Sequence, residues 1–144
     1  MNDGFGNDLV WLSVLVQRRY AQICADHDLT SVQATLLCVI KDRAVGMGEL
    51  AQMLGVAKNA LSGLVDRMER LGLVQRESVQ SDRRAVMLST TARGDELVTA
   101  LYADVGARLP DIAAVLPADQ RDQLAQAVAR LAAPAYESVQ TTTS

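Results

Sequence analysis

Apolar residues recur along most of this chain at intervals of three and four, the period of helices with one buried face. From Asn7 to Asp26 the stripe is Leu9, Leu12, Val16, Tyr20 and Ile23, and Val10, Trp11, Val14 and Leu15 widen it, so the first half of this helix is apolar on more than one side. Either a second chain or the protein's own centre must cover it. Thr30 and Gln33 form a capping-box pair, predicting a second helix that ends near Lys41, with Val32, Leu36, Val39 and Ile40 facing inward. A turn over Asp42 to Gly46 then leads into ELAQMLGVAKNALSGLVDRMERL, residues 49 to 71.

That stretch predicts two helices and a tight turn. Its first helix, about Gly48 to Leu54, buries Leu50, Ala51 and Leu54. The second runs from about Ala57 to Leu71 on the stripe Leu61, Leu64, Val65, Met68 and Leu71. Small Ala51 permits a close crossing, Gly55 makes a left-handed turn, and Leu61 fills the angle between the helices, which is the steric signature of a helix-turn-helix. Lys58, Asn59, Ser62, Gly63, Asp66, Arg67 and Arg70 remain outward. A solvated face would more often carry Glu and Lys; short polar side chains beside a glycine suit close approach to base edges. Ala57 stands where a Ser or Thr cap is expected.

Gly72 ends the second helix. Leu73 to Ser78 then reads as a strand, Val79 to Arg84 as a polar loop and Ala85 to Thr90 as a returning strand with Val86, Leu88 and Thr90 inward, together a wing. At its tip, the planar guanidinium groups of Arg83 and Arg84 fit a narrow, electronegative minor groove, and Asp82 can hold one of them in a fixed direction. A merely soluble hairpin tip is the plainer reading. Thr91 caps a further helix carrying Leu97, Val98, Leu101, Val105 and Leu109, with a break or kink at Pro110 and Ile112 just beyond. A last helix starts near Pro117, with Leu124, Val128 and Leu131 as its stripe; Pro134 limits or bends it, and the tail SVQTTTS reads as frayed, as do residues 1 to 6.

Composition narrows the picture. A chain of 144 residues, 49% hydrophobic with 3% aromatics and three prolines, predicts one mainly α domain. No apolar run approaches the roughly 18 residues of a membrane span, and no basic start suggests a signal peptide, so a cytoplasmic protein is expected. Two cysteines, Cys24 and Cys38, and one histidine, His27, make neither a disulfide framework nor a metal quartet, and no cofactor is expected. The formal net charge of -3 hides an asymmetry. From Ala57 to Gly94 seven basic residues stand against four acidic ones, a local +3 that leaves -6 for the remainder. A DNA reader on an acidic scaffold would show this pattern. With one histidine, no glycine-rich phosphate loop and no Cys-His pair set out for thiol catalysis, an enzyme is not expected.

The order of elements then carries a resemblance. A long apolar helix, LTSVQATLLCVI (29 to 40), ELAQMLGV (49 to 56), LVDRMERLGLVQR (64 to 76), SDRRAVML (81 to 88) and TARG (91 to 94) together resemble the MarR family, the multiple-antibiotic-resistance regulators, over about residues 7 to 136. The resemblance implies a mainly α fold with a small β-wing. Residues 30 to 91 form the winged helix-turn-helix, while residues 7 to 27 and 92 to 136 are dimerisation helices that intertwine between two copies. It implies a homodimeric repressor of double-stranded DNA, with Lys58, Asn59, Ser62, Gly63 and Arg67 in or beside the major groove and Arg76 on backbone phosphate. Arg84 would enter the minor groove, oriented by Asp82, with Arg83 on phosphate beside it.

Thr90 departs from the leucine more usual at that position of the family. The resemblance also implies a small aromatic or lipophilic effector where the dimer helices meet the winged region, at Trp11, Val14, Arg18, Val32, Ala34 and Cys38, with Arg18 as the candidate partner for an anion. Some relatives instead sense peroxide through a cysteine early in the first helix, where this chain has none. Cys24 lies at the negative end of its helix and Cys38 among apolar neighbours, so both read as structural. The alternatives are a winged-helix interaction module without DNA binding and a thiol-based redox sensor.

Overall fold

The computed structural model describes residues 4–79 and 82–140, with side chains described for 4–78 and 86–137. The elements are α1 (Phe5–Asp26), α2 (Ser31–Ile40), β1 (Val45–Gly46), α3 (Met47–Leu54), α4 (Lys58–Arg70), β2 (Val74–Val79), β3 (Asp82–Thr90), α5 (Ala92–Arg108), a 3-10 segment (Leu109–Ala113) and α6 (Ala118–Gln140). This is a mainly helical winged helix-turn-helix with a three-stranded antiparallel sheet in the order β1, β3, β2. The chain divides into two compact units after Leu109.

In the first unit, one core gathers a side-chain stripe from each element. Ile23 and Cys24 of α1, Ala34, Leu36, Leu37 and Ile40 of α2, Leu50 and Ala51 of α3, and Leu61, Leu64, Val65 and Met68 of α4 are buried together with Leu88, Val98 and Leu101. Leu54 is only half-buried. The reading of Val32 as inward is corrected: it lies one turn before Leu36, past the edge of the core, and is exposed. Leu71 is exposed too, because α4 ends at Arg70 and the chain turns away through Gly72 at a φ of 74°.

The capping box of α2 is present as expected. The Thr30 hydroxyl accepts from the Gln33 amide at 3.2 Å, and the Gln33 side chain accepts from the Thr30 amide at 3.0 Å. At the turn between α3 and α4, Gly55 takes a φ of 65°, a left-handed conformation that glycine adopts at no steric cost. Its amide donates to Gln52 and that of Val56 to Ala51, closing α3 against the entry to α4.

Three expectations change in the wing. Val45–Gly46, read as turn, pairs with Leu88 and Met87 as a two-residue strand, too short to show any periodicity. The first strand begins at Val74, one residue later than expected. The polar loop expected over Val79 to Arg84 is largely strand, because pairing continues through a register shift at Ser78/Val79 to Val79 opposite Asp82. Gln80 and Ser81 lie outside the described residues.

The junction of the wing with α5 is tight. The Thr91 hydroxyl donates to the Gly72 carbonyl at 2.6 Å and accepts from the Gly94 amide at 3.0 Å, while the Thr91 amide donates to Leu73 at 3.1 Å. A Cβ on Gly94 would sit 2.0 Å from the Leu73 carbonyl oxygen, so the backbone of α5 approaches the start of β2 as only glycine permits. Further along α5, Asp104 meets His27 at 2.9 Å, and Arg108 bridges Asp104 at 3.0 Å and Asp26 at 2.7 Å, tying the end of α1 to α5.

In the second unit, α6 runs through Pro134, which removes one amide from the hydrogen-bond ladder without ending the helix. Helix backbone therefore includes Ser138 to Gln140, part of the tail read as frayed; residues 141–144 lie outside the described residues. No described side chain of α6 is buried. Among the described residues, no helix is long and apolar enough to cross a membrane.

Candidate nucleic-acid interface

Helix α4 presents two faces. Leu61, Leu64, Val65 and Met68 enter the core, which fixes the rotation of the helix and leaves Lys58, Asn59, Ser62 and Arg67 exposed on the opposite side. Gly63 lies among them. A Cβ there would find only the far end of the Arg67 side chain, at 3.9 Å, so nothing in the fold requires a glycine. What its smallness gives is room for an approaching surface. Ala57 makes no side-chain capping bond, as its residue type implies, and the helix dipole favours an anion at the start of α4.

Beside the first turn of α4 runs an open groove of about 570 Å³. Met47, Leu61, Val86 and Met87 contribute its apolar part and Lys58, Asn59 and Ser62 its polar lip. The recognition face and the inner side of the ribbon thus border one concavity. The backbones of Asp82, Arg83 and Arg84 lie in β3 at the far end of the ribbon, and their side chains are outside those described.

Arg76 of β2 reaches back to α4 instead of pointing away from the protein. Its Nη2 lies 2.9 Å from Asp66 Oδ1, and its Nη1 is paired with Glu69 Oε1. Asp66 and Glu69 are one turn apart, so they present two carboxylates side by side to one guanidinium. Sequence reasoning missed this triad, although its signal was there: two acids at a spacing of three, followed seven residues after Glu69 by an arginine on the first strand of the wing. On the opposite side of β2, Glu77 accepts from Gln75 at 3.2 Å and from the Ser89 hydroxyl at 2.9 Å.

The six residues expected to line an effector site lie on α1 and α2. Trp11, Val14 and Arg18 are exposed on α1, Val32 is exposed on α2, Cys38 is half-buried, and Ala34 is fully enclosed in the core. Val32 alone of the six lines a small groove of about 190 Å³, shared with Gln17, Ser31, Thr35, Met53 and Leu54 between α1, α2 and α3.

Burial pushes the Cys24 and Cys38 thiols above the usual cysteine range, and it raises the Tyr20 phenol as well. For Cys24 the dominant cause is desolvation; the expected reason was the helix dipole. A raised pKa disfavours the thiolate, the reactive form of cysteine, at both positions. Among the described residues no group of three or more His, Cys, Asp or Glu side chains is placed to hold a metal ion.

The comparisons with known proteins agree with this geometry. Wild-type MarR from E. coli in its apo form superposes with a TM-score of 0.81 at 23% identity, over 91% of this chain and 98% of that one. The transcriptional repressor CouR, solved bound to a 23-mer DNA duplex, has a TM-score of 0.73 at 26% identity, over 89% and 92% of the two chains. NadR in complex with 4-hydroxyphenylacetate has a TM-score of 0.69 at 23% identity, over 91% and 94%. The model of the MarR family matches residues 27–85, from the end of α1 to the distal part of the wing, and the fold of these structures is shared along nearly the whole chain.

Proposed function

We propose that this chain is a sequence-specific DNA-binding transcriptional regulator, a repressor that acts as a homodimer on a pseudo-palindromic operator. The observation that carries this reading is the exposed face of α4, where Lys58, Asn59, Ser62, Gly63 and Arg67 form a low, polar, cationic surface on a helix whose rotation is fixed by four buried side chains. Such a face enters a major groove and reads base edges, while arginines at the end of a ribbon reach the adjoining minor groove. Asp82, Arg83 and Arg84 take that second role, with Asp82 orienting Arg84. CouR supports the reading, since its 23-mer duplex is about two turns of B-DNA, room for two half-sites some 34 to 36 Å apart.

The second copy is called for by the helices. Leu9, Val10, Trp11, Leu12, Val14 and Leu15 of α1 and Leu124, Val128 and Leu131 of α6 are all exposed in the single chain, and pairing with another copy gives them cover. An effector of small aromatic or lipophilic type, as the NadR complex suggests, would bind near Trp11, Val14, Arg18 and Val32 once a partner completes the wall. It would act by binding one spacing of the recognition helices better than the other. The chain works without catalysis.

The test is a mobility shift with duplex DNA from the region upstream of the gene itself. Retarded, competition-resistant complexes are expected, with log K falling on log[salt] at about 0.9 per phosphate neutralised. A salt-independent association, or equal binding to unrelated DNA, contradicts the reading.

A further inference from the structure

We propose that Arg76 is a positioning residue that fixes the angle between recognition helix and wing, and not a phosphate ligand. The inference rests on the DNA-binding reading above and adds to it a specificity determinant that touches no DNA. Both terminal nitrogens of the guanidinium are engaged, one by Asp66 and the other by Glu69. The three side chains together carry a formal charge of -1, so they offer a phosphate less attraction than a free arginine would.

The placement of the triad matters more than its charge. Asp66 and Glu69 lie in the second half of α4, and Arg76 lies on β2, opposite Leu88 of β3. Between these elements the chain turns through the left-handed Gly72, whose carbonyl is held by the Thr91 hydroxyl at the root of the ribbon. Leu73 and Val74 anchor the root of β2 in the core. The Arg76 fork adds a strut two residues further out, on the ribbon's helix-facing side. A reader that must place α4 in one groove and the ribbon end in the next needs that angle held, because a small rotation at the root becomes a larger displacement at Arg84. Holding two elements in a preset geometry strengthens the correct complex more than loose, non-specific binding, in which either element can engage alone.

The experiment uses the full-length chain and an operator duplex selected by the wild type from a random pool, with an unrelated duplex of equal length as reference. Binding is followed by fluorescence anisotropy between about 50 and 300 mM NaCl. Arg76→Met and the double variant Asp66→Asn, Glu69→Gln remove the strut from opposite ends. Each is expected to lower the ratio of operator to unrelated affinity by about three- to tenfold, the scale of a small exposed ion-pair network. The salt slope of Arg76→Met should stay within about half a unit of the wild type. The acid-free variant, although two negative charges lighter, should not bind the operator more tightly.

A phosphate ligand gives the opposite pattern: Arg76→Met loses about 0.9 of slope, and the acid-free variant tightens on both duplexes. That result, or unchanged ratios in both variants, overturns the proposal. If the wild type selects no duplex at all, the DNA-binding reading itself fails.

Discussion

Helices α4 and α6 have similar apolar stripes in the sequence and opposite fates in the structure. Leu61, Leu64, Val65 and Met68 of α4 are buried at 7% exposure or less, whereas Leu124, Val128 and Leu131 of α6 are exposed at 37%, 50% and 78%. Helix α1 shows both fates at once, for its last turns bury Ile23 and Cys24 while Trp11 near its start is 71% exposed. The winged region therefore closes its core within the chain together with the end of α1 and part of α5, while the start of α1 and α6 stay exposed. Full burial of a large apolar side chain contributes about 1.5–3 kcal/mol, and one that is about half exposed gains about half of that, so covering four from each of two copies contributes about 6–12 kcal/mol. That is of the same order as the cost of about 4–15 kcal/mol in lost freedom, and the remaining exposed side chains of α1 add to it. The exposed half reads as one half of an interface, and the buried half as the rigid head it carries.

The contrast can be broken most forcefully from the buried side. Leu61→Ala should destabilise the fold by about 2–5 kcal/mol, the range for a fully enclosed leucine, read as a lowered midpoint in urea or thermal unfolding. Gly94→Ala should follow at about 1–3 kcal/mol, since the new methyl collides with the Leu73 backbone and not with a side chain that can swing aside. Arg84→Ala tests the proposed minor-groove contact. It should weaken operator binding by about 1–3 kcal/mol, measured by anisotropy, with the thermal midpoint unchanged. An equal loss of stability would contradict its assignment to the wing. Thr30→Ala, which removes a cap from α2, should cost about 1 kcal/mol in the same unfolding assay.

The smallest effect concerns pH. The hydrogen bond from His27, and then Arg108, holds the Asp104 carboxyl below the usual carboxylate range. A depressed pKa stabilises the fold at pH values above the unfolded value near 3.9 and ceases to do so as pH falls through the lower folded value. Thermal midpoints should thus fall on acidification through that window, and Asp104→Asn should flatten this limb of the curve.

Much of this was legible in the sequence because local rules and global packing agree there. The Thr30–Gln33 box, the left-handed Gly55, the buried stripe of α4 and its outward polar face each follow from a spacing that only one conformation satisfies. The misses have physical reasons as well. A two-residue strand at Val45 has no period to read. The polarity of residues 79 to 84 looks like loop, yet exposed ribbon ends are polar too and pair through their backbone, so the strands run further. Val32 keeps the helical phase but falls beyond the edge of the core, and phase does not report where a core ends. Gly94 owes its identity to a contact with Leu73 that is distant in sequence, and the engagement of Arg76 by Asp66 and Glu69 is likewise tertiary. Pro134 marked a helix limit by propensity, but on an exposed helix the loss of one amide is tolerated.

The account turns on whether the exposed apolar helices find their cover in a second copy. Sedimentation equilibrium of the purified chain at low micromolar concentration, near physiological salt, addresses this directly. It should give twice the mass of the 15.5 kDa chain, reverting to one mass in Leu12→Glu, Leu131→Glu with the winged fold retained by circular dichroism. A well-folded wild type that sediments as a single chain under those conditions would contradict it.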